Sequence, residues 1–340
     1  MPNILIIGAT RGLGASLANA YASQSNTTVF GTTRSATGPK GLNEKIVWVP
    51  NIDVSDSGVG SKLVNQLGML GVAGGMVEGE GEVRGFDVVI ISAGYFATED
   101  FVNGPKWEEE VKMYTTSAIS PPFIVRSLSR AHYLFKGSKI LLISSESGSI
   151  TLRHEKEGGG NYGHHASKSA LNMVGKLLSL DLKEKGVIIS ILHPGFMRTE
   201  MTKGVGFDKY WDDGGAVTPD EAAKSLIEWA EKLDMSKSGQ YWAPRGPIVN
   251  FIQFPYYNAT TIPATRPTNP PIEAIKVGAA PAEEDDEGEP EDAVGFPLVD
   301  KAEVLFPFAV AAADVVVATV PLLAAEEVTT DVALPVAVAE

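Results

Sequence analysis

The sequence contains no cysteine. That excludes disulfides, thiolate metal sites and a cysteine nucleophile, and it leaves redox chemistry to a bound cofactor. A long uninterrupted hydrophobic run is also missing. The Ala- and Val-rich stretch near the end is broken by Asp314, Pro321, Glu326 and Glu327, short of the roughly 20 residues that span a bilayer, so no membrane partner is expected. Met1–Ile7 already reads as a short core strand, not as the basic start of a signal peptide, and a cytoplasmic location is expected. Basic excess is absent too. The net charge of −14 belongs to residues 283–340, where Lys301 faces 15 acidic residues, while residues 1–250 carry 25 Lys and Arg against 26 Asp and Glu. A nearly neutral body with an acidic tail offers no footprint for nucleic acid. No repeated close spacing of histidines and carboxylates suggests a metal site.

What is present is enough for a large core: 340 residues, 44% of them hydrophobic, room for one large α/β domain or two smaller ones. Apolar, β-rich runs recur at Ile4–Ile7, Thr28–Gly31, Ile46–Val49, Val88–Ser92, Ile140–Ser144 and Val187–Leu192, with helix-like segments between most of them. Continuous apolar runs alternating with helices predict an α/β fold with a doubly wound parallel sheet buried on both faces. Thr218 with Pro219 behind it opens a helix over Pro219–Leu233, and Ser238–Trp242 suggests a last short strand. The glycines between Leu67 and Gly85 read as a mobile surface loop. Composition changes near Pro255, becoming Pro-rich, then acidic, then Ala- and Val-rich. The expectation is one folded domain over 1–255 and an irregular, largely disordered extension over 256–340, with docking to a partner or to the domain itself as the alternative.

The first apolar run leads directly into Gly8-Ala9-Thr10-Arg11-Gly12-Leu13-Gly14, and the helical pattern Leu17, Ala18, Ala20, Tyr21 follows. Glycines at 8, 12 and 14 permit a tight turn and close approach of a ligand, and the free N–H groups opening a helix favour a pyrophosphate. Strand, glycine turn and helix in that order point to a dinucleotide site.

Further motifs follow in a consistent order: Asp53-Val54, Ser92-Ala93-Gly94, Ser144-Ser145-Glu146-Ser147-Gly148, His164-His165-Ala166-Ser167-Lys168-Ser169-Ala170-Leu171-Asn172, and His193-Pro194-Gly195-Phe196-Met197-Arg198-Thr199. Together with the glycine turn they resemble the short-chain dehydrogenase/reductase family over roughly residues 1–247. The Tyr162–Met173 stretch and the His-Pro-Gly-x-x-Arg-Thr turn are most similar to its small NADP-dependent carbonyl reductases related to C-factor and sniffer. The resemblance implies a single Rossmann-type domain, an NADP(H) cofactor, hydride transfer to a ketone or aldehyde, and pairing into a homodimer or homotetramer. It places Ser145 as the residue that orients the substrate carbonyl, Lys168 on the cofactor ribose, Asp53 on the adenine, and Pro194, Gly195 and Thr199 on the nicotinamide half. Ser145 as a turn serine, Lys168 as a solvated helix lysine and Asp53 as a helix cap are the plainer alternatives.

Two positions depart from the family pattern. Where it has the tyrosine of Tyr-x-x-x-Lys, this chain has His164, which shares a helix face with Lys168. Histidine can donate a proton, and a neighbouring ammonium would lower its ordinary value near 6.5. Tyr162, six residues before Lys168, points about 120° away on an ideal helix, and His165 falls on another face. The family's asparagine aligns near Ser117, whose hydroxyl lacks the amide's two donors. A cofactor-binding protein without turnover, or an enzyme using the pocket for dehydration, cyclisation or isomerisation, is therefore the alternative function. For cofactor choice, Val29–Arg34 ends without the acid that would bind a ribose 2′-OH, and Arg11 and Arg34 supply cations for a 2′-phosphate, which favours NADP over NAD. Met197, Met201, Phe207, Tyr210 and Trp211 suit an apolar lid over a bulky substrate, or ordinary packing.

Overall fold

The computed structural model describes residues 1–72, 74, 85–153, 155 and 158–243. Most of the glycine-rich segment after Leu67, His154, the expected boundary at 255/256 and the whole extension lie outside the described residues.

Among the described residues, seven strands form one sheet: β1 (Asn3–Ile7), β2 (Thr28–Thr32), β3 (Ile46–Val49), β4 (Val88–Ile91), β5 (Lys139–Ile143), β6 (Ile188–Leu192) and β7 (Gln240–Trp242). Their order is β3-β2-β1-β4-β5-β6-β7, and every neighbouring pair is parallel. The helices are α1 (Gly12–Ala22), α2 (Val59–Met69), α3 (Trp107–Tyr114), α4 (Ser120–Arg130), α5 (Tyr162–Asp181), α6 (Glu200–Gly204) and α7 (Pro219–Glu231). A π-helical turn over Thr115–Ile119 joins α3 to α4. Because α2 continues through Met69, Gly68 is helical and the loop starts later than its glycine content predicts.

Every residue of β1 is buried, and alternation sends the side chains to opposite faces. Leu5 and Ile7 join a core with residues of α2, α4 and α5. Ile4 and Ile6 join a second core with α1 and α7. Each fully buried aliphatic side chain contributes about 1.5–3 kcal/mol, so a strand buried on both faces is mostly apolar, and the buried Asn3 that opens β1 donates from Nδ2 to Gly85 O. Thr218 caps α7 as expected, accepting from Glu221 N while the Glu221 side chain accepts from Thr218 N. Among the described residues no helix is long and apolar enough to cross a membrane.

β1 pairs with β2 on one side and β4 on the other, so the direction of winding reverses at β1. In open parallel sheets, ligands bind at the carboxyl ends of the strands beside such a reversal. The glycine turn is there.

Candidate active site

The turn from β1 into α1 is built for close approach. Gly8 has φ +88, and a Cβ there would come within 2.8 Å of the Ala93 backbone. A Cβ at Gly14 would stand 2.1 Å from the Gly8 carbonyl oxygen. The turn is tied to its neighbours by Gly8 N donating to Thr32 Oγ1 at 2.9 Å and Ala93 N donating to Ile7 O at 3.0 Å. Arg11 precedes α1 in extended backbone, and no side chain caps the helix, which leaves its first N–H groups for a ligand.

A cavity of ≈ 1240 Å³ opens over this turn. Gly8, Thr10, Arg11, Gly12, Leu13 and Gly14 line it on one side, and Arg34, Asp53 and Val54 at one end. Ala93, Gly94, Ser145, His164, Lys168, Pro194, Gly195 and Thr199 also face it. Ser117 does not line it, although Thr116 does. Ser117 sits in the π turn, buried, with its Oγ lacking a hydrogen-bond partner. His165, expected on another helix face, lines the cavity too, and its ring meets that of His164 edge-on at 5.5 Å.

The end lined by Arg34 and Asp53 is polar. Asp53 Oδ1 accepts from Ser55 N at 2.9 Å and from Ser55 Oγ at 2.7 Å. Burial pushes its carboxyl up, but these bonds and the Arg34 charge outweigh that and hold it below the ordinary range. Asp53 forms a local turn and is not the cap of α2, which begins at Val59.

At the other end, three segments converge. Ser145 follows β5 and opens a 3₁₀ turn, its Oγ accepting from Ser147 N at 3.2 Å. The turn is locked to α5: Ser144 Oγ donates to Asn172 Oδ1 at 2.6 Å, and Ser169 Oγ donates to Gly148 O at 2.8 Å. A side chain at Gly148 would strike the Lys168 backbone at 2.7 Å. Lys168 is itself buried and donates from Nζ to Ile143 O at 2.9 Å. Desolvation lowers its ammonium to about 8. Across the cavity, Thr199 caps α6 and lies 3.7 Å from where a Gly12 Cβ would be, while Met201 reaches to 4.0 Å from the corresponding point on Gly94.

His164 lies one helical turn before Lys168. Its ring stacks on Phe96 at 4.0 Å between centroids, and Phe96 meets Phe207 edge-on at 5.7 Å. Burial lowers His164 to about 3, with the charges of Lys168, His165 and Arg153 acting in the same direction. The imidazole is therefore neutral near pH 7, and its Nδ1 has no hydrogen-bond partner among the described residues. Met197, Met201, Phe207 and Tyr210 of the expected lid line the cavity, whereas Trp211 does not and donates from Nε1 to Thr202 Oγ1 at 3.3 Å. Tyr95, Phe96 and Lys112 also line it. The aromatic pair directly after Gly94, at the carboxyl end of β4, is the sequence signal that would have found the first two. Among the described residues no group of three His, Asp or Glu side chains forms a metal site.

Comparison with known proteins agrees with this geometry. Residues 2–209 match the family model for short chain dehydrogenase. A 1-hydroxy-2-glutathionyl-2-methyl-3-butene dehydrogenase of Rhodococcus sp. (strain AD45) is 33% identical over 108 residues, covering 32% of this chain and 44% of that protein. The NADPH-bound carbonyl reductase from chicken fatty liver superposes with a TM-score of 0.59 at 24% identity, covering 73% of this chain and 98% of its own. The carbonyl reductase Sniffer of D. melanogaster gives a TM-score of 0.59 at 23% identity, covering 73% and 99%. Wound around a glycine turn at the reversal point of a parallel sheet and matched over residues 2–209, the chain belongs to the short chain dehydrogenase family of oxidoreductases.

Proposed function

We propose that this oxidoreductase is an NADPH-dependent carbonyl reductase acting on a ketone or aldehyde. The observation that carries the reading is one continuous cavity with Arg11, Arg34 and Asp53 at one end and Ser145, His164 and Lys168 at the other. The glycine turn leaves room for a pyrophosphate against α1, the two arginines suit a 2′-phosphate, and Thr199 with Pro194 and Gly195 faces the nicotinamide half. The cofactor, when bound, supplies the hydride.

Ser145 Oγ donates a hydrogen bond to the carbonyl oxygen and orients it. His164 works as a neutral imidazole: at about 3 its charged form is too scarce at pH 7 to serve as the acid, so its N–H polarises the oxygen and passes it the proton. Lys168, at about 8, is largely an ammonium at pH 7. It holds the ribose and returns a proton to the ring one turn away. The lid residues Met201, Phe207 and Tyr210 shield the exchange from water.

A second reading, cofactor binding without redox turnover, is favoured by the His164 ring lying flat on Phe96 and by Ser117 standing outside the cavity. The test is NADPH oxidation with a panel of aldehydes and quinones, for wild type, His164→Ala and His164→Tyr. Reduction by wild type that falls at least tenfold in His164→Ala is expected. A silent wild type with an active tyrosine variant overturns the reductase reading.

A further inference from the structure

α5 begins without a cap of its own. Asn161 precedes it in the left-handed region, φ 51, and its side chain gives no cap to the helix. The cap comes from the loop after β4. Glu99 Oε1 accepts from Gly163 N at 2.5 Å, and Glu99 O accepts from Asn161 N at 2.8 Å. The fit leaves no room for side chains. A Cβ at Gly160 would come within 2.6 Å of Glu99 O, and one at Gly163 within 2.7 Å of Glu110 Oε2 and 2.5 Å of Met113 Cε.

Glu110, on α3, brings its carboxyl to the same point: its Oε2 lies 2.7 Å from where a Gly163 Cβ would be, beside the N–H that Glu99 accepts. Two carboxyl groups brought together at one helix end are held there at least cost when one keeps its proton. The second Glu99 oxygen, Oε2, is buried and has no hydrogen-bond partner among the described residues, the environment a shared proton would satisfy. Desolvation first, then the Glu99 carboxyl and its charge, raise the Glu110 carboxyl, against the opposing Gly163 N–H. Tyr114 on α3 faces both carboxyls and is raised by them after burial. Glu109 lies beside Tyr95 and raises its hydroxyl, and Lys112 lies 3.8 Å from the centre of the Tyr95 ring. On α5 the residue after Gly163 is His164, whose charged neighbours are Lys168, His165 and Arg153.

We propose that Glu99 and Glu110 are positioning residues for His164: sharing one proton, they cap α5 from outside and hold the wall made by Phe96 and His164, and loss of that proton loosens it. The remaining negative charge sits at the helix N-terminus, where it is stabilising. A second charge brings two carboxylates into contact. The folded-state value is raised above the ordinary 4.5, so the stabilisation is complete below 4.5 and is lost as pH rises through the raised value. The inference goes beyond the reductase reading and does not need turnover, because His164 is observed directly.

The experiment follows the His164 ring signal by NMR and the thermal midpoint of the full chain from pH 4 to 7, where Lys168 stays largely an ammonium, for wild type, Glu110→Gln, Glu99→Gln and Glu99→Ala. In wild type the His164 signal and the midpoint shift together as pH rises, over a range in which the imidazole itself does not titrate. Glu110→Gln keeps a donor that cannot ionise and holds both readouts at their low-pH values. Glu99→Ala lowers the midpoint by about 2–4 °C across the range, the effect of losing one cap in a domain of this size. A His164 signal in Glu110→Gln that follows the wild-type pH course overturns the proposal. If that variant does not fold, a wild-type His164 signal that stays constant across the range, or is unmoved by Glu99→Gln, overturns it equally. A negative carbonyl panel leaves all these readouts intact.

Discussion

The imidazole of His164 lies on the ring of Phe96, centroids 4.0 Å apart and planes 26° from parallel. The stack removes water from one face of the imidazole and helps fix a value of about 3. Phe96→Ala opens that face, so the His164 titration midpoint moves up from about 3 toward 6.5, read by NMR. Because the folded value is depressed, the linked stability is present above 6.5 and lost as pH falls toward 3. Wild type therefore loses more of its thermal midpoint between pH 6.5 and 4 than His164→Phe does.

Lys168 is held at about 8 by burial, against an ordinary value near 10.4. Its stability contribution is complete above the ordinary value and is lost as pH falls through 8. Lys168→Met removes a desolvated ammonium whose cost is on the order of 3 kcal/mol. The cofactor-free variant is expected to melt higher than wild type at pH 7 while giving no heat with NADPH. A lower midpoint would contradict the assignment of burial as the cause.

Arg11 and Arg34 stand at the end of the cavity that suits an adenine ribose. Charge-assisted hydrogen bonds are worth about 1.5–3 kcal/mol. Arg34→Ala should weaken NADPH binding about tenfold or more and leave NADH nearly unchanged, as measured by calorimetry. Equal losses for both would count against a 2′-phosphate site.

Gly14 tolerates no side chain, since a Cβ would stand 2.1 Å from Gly8 O. Gly14→Ala must displace the turn from β1. Loss of cofactor binding together with a lower melting midpoint is expected, whereas Gly41→Ala tests only the backbone preference, because nothing lies within 4 Å of its Cβ position.

Strands β1, β4 and β6 were legible because burial on both faces favours nearly continuous apolar residues, whereas β7, only partly buried, offers just Gln240-Tyr241-Trp242. The α7 start was legible because its capping box is local, Thr218 to Glu221. The glycine turn was legible as a local motif, while Ser145 and Lys168 were singled out by their resemblance to the short-chain dehydrogenase/reductase motifs, and all of them line the cavity. Phe96 on His164 and Glu99 under Gly163 join residues more than 60 positions apart, and no periodicity records such a meeting. His164 and His165 stand about 100° apart on α5, yet both line the cavity, because it wraps around the first turn of that helix.

The π turn at Thr115–Ile119 carries one residue more than a regular helix would over the same arc. Ahead of it, α3 packs on α5, and beyond it α4 packs on α2. One unbroken rod thus meets two neighbours whose seams are out of phase. Deleting a single residue there would swing everything downstream by about 100°, carrying Ile124 out of the core and Phe123, now 53% exposed, around the barrel of the helix. The extra residue is the spacer that lets a wall of the pocket and a buttress of the sheet be made from the same stretch of chain.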